Sequence, residues 1–216
     1  MKFPDSELKA IVYRLEMQAY QQKNDFLNMK ETGEKALKED PNDAVTLILL
    51  ASAIPERTRE NDLDRDQKLA QAEDYAKRAL VAVDKLEKPS PQMPDADWEK
   101  VRNDARAQSY AALGLVALQR KQYQTAEEAF KKAVDMQSQK DPVVFWRLGL
   151  AYEFTKKYEQ AREAFKQAVD LGGVQAGGRD LAKEELQRVE EFLKKRQSGA
   201  AGTGTTSPPA GNPPRP

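Results

Sequence analysis

The sequence predicts an all-α fold: a right-handed α-solenoid of about four antiparallel helix pairs, closed by a C-terminal capping helix and followed by a disordered tail. Two observations carry this expectation. The segment Leu113–Asp135 returns almost residue for residue as Leu148–Asp170, with Gly114 returning as Gly149, 35 positions on, Tyr123 as Tyr158, Ala126 as Ala161, Phe130 as Phe165 and Ala133 as Ala168. Self-similarity at such a period marks stacked supersecondary units. Between short breaks, apolar residues also recur with the 3.6-residue period of amphipathic helices.

Taken in order, Phe3-Pro4-Asp5-Ser6 reads as a turn leading into a helix. That leaves open whether residues 1–5 begin the natural protein or continue from an upstream segment. Ile11, Leu15 and Ala19 share a face that Tyr13, Met17 and Tyr20 extend, which predicts a helix over 6–22. Lys23-Asn24-Asp25 breaks it, and residues 26–39 form its partner. Asp40-Pro41-Asn42-Asp43 supplies a stop, a turn and an N-cap in succession. The next helix covers 44–54 and its partner 67–86, separated by a charged insertion at 55–66 that has little to bury. Residues 6–87 thus hold two divergent units, and the proline-rich stretch 88–95 links them to the rest, with Asp95 as the expected N-cap.

From 96 to 120 one long helix is predicted on the stripe of Trp98, Val101, Ala105, Ala112 and Val116. Its front half has no counterpart in the other units. Helices over 125–137, 142–155 and 158–171 complete two regular units within 96–171. Thr125 with Glu128 has capping-box spacing, and Asp141-Pro142 places a cap before a proline suited to the first helical position. Gly172-Gly173 and Gly177-Gly178 flank a loop, and 179–196 is the capping helix with Ala182, Leu186, Val189 and Leu193 inside. Small residues and prolines dominate the end of 197–216, a composition expected to stay disordered.

Composition narrows the function. There is no cysteine and no histidine, so a disulfide, a Cys/His zinc site, a thiolate nucleophile and an imidazole base are all excluded. Lys plus Arg and Asp plus Glu each number 35, giving no net charge and no whole-molecule basic footprint for nucleic acid. Basic and acidic residues alternate at i to i+4 spacing, as solvated helix faces do. No segment reaches the roughly 18 apolar residues of a membrane span. No leader peptide is visible, which makes the cytoplasm the default compartment; a periplasmic or secreted protein stays compatible if Met1 is not the native start. Asp62, Asp64, Asp66 and Glu73 have calcium-loop spacing, yet Gln67 stands where that loop needs glycine and Ala70 offers no ligand, so a helix-starting acidic loop is the better reading.

The units resemble the tetratricopeptide repeat. The fullest match is Phe145, Leu148, Gly149, Tyr152, Tyr158, Ala161, Phe165 and Ala168; the unit before it has Tyr110, Leu113, Gly114, Tyr123, Ala126, Phe130 and Ala133, with Ala117 in the first-helix aromatic slot. Earlier units keep Tyr13, Met17, Tyr20, Ala36 and Pro41, then Leu47, Leu50, Ala51, Ala72, Ala76 and Ala79, while Met29 and Gly33 depart from the pattern. Small residues suit close helix crossings, and rings fill the gap to the next unit, so these positions read as core.

The resemblance implies a concave groove lined by first helices, which takes a peptide or helix of a partner protein and needs no cofactor, metal or catalytic residue. Its register gives Arg14, Gln18, Val45, Ile48 and Ser52, then Gln108, Ala111, Leu115 and Leu118, and finally Val143, Trp146, Leu150 and Glu153. This lining is largely apolar. Leu49 and Ala112 occupy slots where a clamp for acidic C-termini needs polar or basic side chains, which argues against that ligand. Trp146 follows the packing residue Phe145, and the 100° step of a helix aims it either into the groove as an anchor or against a neighbouring helix. The expected function is therefore a non-enzymatic interaction scaffold. The alternative is a structural or homo-oligomeric module whose groove is filled by its own helix or a second copy.

Overall fold

Two residue patterns place the helices: apolar stripes that need a partner, and short polar breaks that reverse the chain. The structure, a computed structural model, describes residues 6–199. The expected N-terminal turn at 1–5 and nearly all of the expected disordered tail lie outside those residues. The all-α expectation holds, with α1 (Ser6–Gln22), α2 (Phe26–Glu39), α3 (Ala44–Glu56), α4 (Arg65–Asp84), α5 (Asp95–Gln119), α6 (Tyr123–Met136), α7 (Pro142–Phe154), α8 (Tyr158–Asp170) and α9 (Leu181–Gly199). A two-residue antiparallel pair, β1 (Gln175–Ala176) with β2 (Arg179–Asp180), fills the loop before α9. The described residues form an N-terminal and a C-terminal body that divide between Leu113 and Gly114.

In the N-terminal body α1 packs on α2 and α3 on α4, with α2 also meeting α3. Gln71 of α4 donates to Glu34 of α2 at 2.9 Å, and Arg78 of α4 donates to the Pro41 carbonyl at 2.7 Å. The α1–α2 crossing is tight at Gly33: a Cβ there would lie 2.7 Å from Met17 Sδ and 3.1 Å from the Leu50 methyls. Met17 and Leu50 are fully buried. The core side of α1 is thus Ala10 and Met17, with Tyr13 and Tyr20 half-buried beside them. Ile11, Leu15 and Ala19 do not share that side; they are exposed. The reason is the missing Cβ at Gly33, which admits Met17 and sets the rotation of α1.

The front of α5 is held by charge more than by its expected stripe. Arg106 donates to Asp84 of α4 at 2.8 and 3.1 Å and to Glu99 at 2.9 Å, while Val101 is exposed and Trp98 half-buried. Asp95 is not an N-cap: the Pro94 carbonyl accepts the first helical bonds from Asp97 and Trp98, and the Asp95 carboxylate pairs with Lys88. In the charged insertion Asp62 and Asp64 both pair with Lys68 of α4 at 2.9 Å, so the acidic loop is tied to the helix that follows it.

In the C-terminal body α6, α7, α8 and α9 pack consecutively. A Cβ at Gly149 would lie 2.5 Å from Phe165 Cε1, and one at Gly114 would lie 2.7 Å from Phe130 Cδ1. Both rings are fully buried, so each glycine is the space its phenylalanine occupies. Asp141 caps α7 by accepting from the Val143 amide at 2.8 Å with Pro142 in the first turn, as expected. The Thr125–Glu128 capping box does not form, because α6 starts earlier. Lys121 adopts φ 61°, and Gln122 donates back to the Ala117 carbonyl at 2.9 Å, closing α5 and opening α6 within two residues. Lys156 (φ 62°) and Asn24 (φ 56°) make the same turn in other units.

Gly177 and Gly178, at φ 57° and 76°, make the two-residue turn between β1 and β2. Asp180 then caps α9, accepting from the Ala182 amide at 3.1 Å and the Lys183 amide at 3.2 Å. Ala182, Val189 and Leu193 of α9 are buried and Leu186 half-buried, as the sequence predicts.

Candidate interaction faces on the first helices

The first-helix face is built in the N-terminal body by α1 and α3. Arg14 of α1 donates to Asp43 at 2.9 Å, and the same carboxylate accepts from the Thr46 hydroxyl at 2.5 Å. Asp43 therefore sits at the start of α3 without capping its amides; its charge ties α3 to α1 instead. Arg14 and Gln18 are half-buried, Val45 is 40% exposed, and Leu49 and Ser52 are half-buried. Val45, Leu49 and Ser52 lie at i, i+4 and i+7 on α3, a single strip of one face. Ile48, at the edge of that strip, is buried. On α5, Gln108 is exposed and Ala111 half-buried.

The C-terminal body presents its members differently. Val143 is half-buried, whereas Leu115, Leu118, Trp146, Leu150 and Glu153 are buried. Trp146 is 5% exposed, and its indole Nε1 has no hydrogen-bond partner. Glu153 is engaged by α9: Arg188 donates to both carboxylate oxygens at 2.5 Å and also pairs with Glu185. Burial pushes the Glu153 carboxyl above its ordinary pKa, against the opposing pull of Arg188. Tyr158 and Phe192 meet at a 4.6 Å centroid distance, which fixes α9 against α8 as well.

The charged pairs beneath these faces are structural. Glu127 of α6 accepts from Lys157 at 2.8 Å to both oxygens and from Thr155 at 3.2 Å, locking the α7–α8 turn onto α6. Among the described residues no group of acidic side chains is arranged to hold a metal ion. No helix among them is long and apolar enough to cross a membrane. Sequence reasoning did not single out Arg188 as the partner of Glu153. Its only signal was a basic residue on the inner half of a capping helix.

These helix pairs have known counterparts. Residues 107–140 and 143–171 match the family model of the tetratricopeptide repeat. Two tetratricopeptide repeats thus lie within residues 107–171. It is similar in fold to a crystal structure of the MamA protein, at 19% identity and a TM-score of 0.52, covering 93% of this chain and 98% of that one. It also aligns with the structure of pilF from Pseudomonas aeruginosa, at 18% identity and a TM-score of 0.41, covering 91% and 89% of the two chains. No curated protein matches the chain. The repeats explain why Gly114 and Gly149 sit under phenylalanine rings, since the second-helix ring of each pair needs a first helix without a side chain at that point.

Proposed function

We propose that this protein is a non-enzymatic scaffold that holds a peptide or helix of a partner protein against its first-helix faces. Tetratricopeptide repeats generally mediate protein–protein interaction. The observation that carries the reading is the strip on α3, where Val45 is exposed and Leu49 and Ser52 are half-buried. A partner side chain laid there removes apolar surface from water at roughly 25 cal/mol per Å². Arg14, held by Asp43, stands at the margin as a fixed polar contact. Gln108 and Ala111 are further contact positions in the same body. In the C-terminal body Val143 is the open member, and Trp146, Leu150 and Glu153 take part only where their covering is displaced.

Site-specific photo-crosslinking tests this. A crosslinking residue at Val45 or Ser52 is expected to capture protein, and Val45→Glu to abolish capture from position 52. Exposed Lys77 on α4 serves as the control position. Capture at 77 equal to that at 45 and 52, or none at either strip position, contradicts the proposal. A second reading, in which the chain's own terminal helix fills the last first-helix face, draws on the Arg188–Glu153 bridge. Releasing that bridge by Arg188→Ala should then raise capture at Val143; unchanged capture there counts against it.

A further inference from the structure

The face of α1 opposite its core side is apolar and open. Leu8 is 50% exposed, Ile11 41%, Val12 51% and Leu15 58%, with Ala19 exposed on the same face. At 100° per residue these five positions fall within a stripe about 100° wide, the width of a helix face that normally packs on another element. Together they open on the order of a few hundred Å² of apolar surface, the size at which a patch on a folded protein marks an interaction site.

We infer that this face is a two-fold interface with a second copy of the same chain, formed by antiparallel pairing of the two α1 helices. Charge complementarity selects that occupant. Lys9 and Glu16 are both exposed and stand seven residues apart, hence about 20° from each other on one edge of the stripe. A two-fold axis between Val12 and Tyr13 maps each edge onto the same edge of the copy with the direction reversed. It sets Lys9 against Glu16 of the copy, and Glu16 against its Lys9. The same axis places Leu8 between Leu15 and Ala19 of the copy, and Ile11 between its Leu15 and Val12, so the apolar side chains interdigitate without overlap. On the opposite edge Arg14 is already committed to Asp43. One helix face per copy is a small interface, so the dimer forms in the micromolar range. The interface shares no residue with the α3 strip and stands independently of that proposal.

The test is sedimentation equilibrium of the full chain from about 1 to about 200 μM, a span that brackets a micromolar dissociation constant. The wild type is expected to pass from monomer to dimer. Leu15→Lys abolishes the dimer, with an unchanged far-ultraviolet melt showing that this exposed position leaves the fold intact. Lys9→Glu weakens association about tenfold by placing two like-charged pairs across the axis, and Lys9→Glu combined with Glu16→Lys restores it. Because the chain has no cysteine, register is read directly by oxidising a mixture of Lys9→Cys and Glu16→Cys chains, in which the mixed disulfide should predominate over both self-disulfides. A monomer throughout the concentration range overturns the proposal. So does a dimer indifferent to Leu15→Lys, a double reversal that fails to rescue, or a predominance of self-disulfides.

Discussion

Gly149 and Gly33 occupy opposite sides of equivalent helix crossings and should respond differently to one added methyl. At Gly149 the new Cβ meets a fully buried ring 2.5 Å away. The ring has no alternative position, so Gly149→Ala is expected to cost about 1–3 kcal/mol beyond any gain in helix propensity. At Gly33 the nearest atom is Met17 Sδ at 2.7 Å, on an unbranched side chain that can rotate. Gly33→Ala is therefore expected to change stability by less than about 0.5 kcal/mol, since the strain and the propensity gain of roughly 1 kcal/mol offset one another. Urea unfolding of the two variants checks this; equal losses would show that the ring and the thioether are equally rigid. Trp146 teaches a related lesson. The 100° step places it away from Phe145, but α7 is covered on most sides, and the indole is buried.

At the scale of elements, α9 is fastened by an ion pair whose two members differ in burial. Glu153 retains 4% of its side-chain surface and Arg188 26%. Removing the exposed partner strands the buried one, so Arg188→Ala should destabilise the C-terminal body by roughly 3 kcal/mol at neutral pH. Adding Glu153→Gln should recover most of that loss. The pH dependence has a definite sign. Burial already raises the Glu153 pKa in the folded state, and without Arg188 it rises further, so the folded chain binds this proton more tightly than the unfolded one. Stability of the Arg188→Ala variant should therefore improve relative to wild type as pH falls from about 7 toward about 5. A deficit that is constant or grows over that range would place the effect of Arg188 elsewhere.

Across the whole molecule, the regular units were legible in the sequence because a glycine on one helix and a phenylalanine on the next recur at a fixed spacing. Less legible was the α1–α2 pair, where two apolar stripes share one helix and periodicity alone does not choose between them. Leu8, Ile11, Leu15 and Ala19 make as good a pattern as Ala10, Tyr13, Met17 and Tyr20. What decides is Gly33, whose absent side chain receives Met17. Capping at α6 was misread for a similar reason, since left-handed Lys121 moves the helix start ahead of Thr125. The proposed interaction face was legible only as a register, which places Val45 and Ser52 on one side of α3, and the reach of Arg188 to Glu153 was signalled only by a basic residue on the capping helix.

The divergent α1–α2 pair is the same helix crossing as α7–α8 with its sizes reversed: Met17 stands where Gly149 does, and Gly33 where Phe165 does. A double-mutant cycle on this pair tests it most directly. Gly33→Phe alone should destabilise severely by overpacking against Met17, and Met17→Gly alone by opening a cavity. Together the two substitutions restore the glycine-under-ring arrangement, so the double variant should be more stable than Gly33→Phe alone, with a favourable coupling of about 1–3 kcal/mol. Strict additivity of the two losses would contradict the claim.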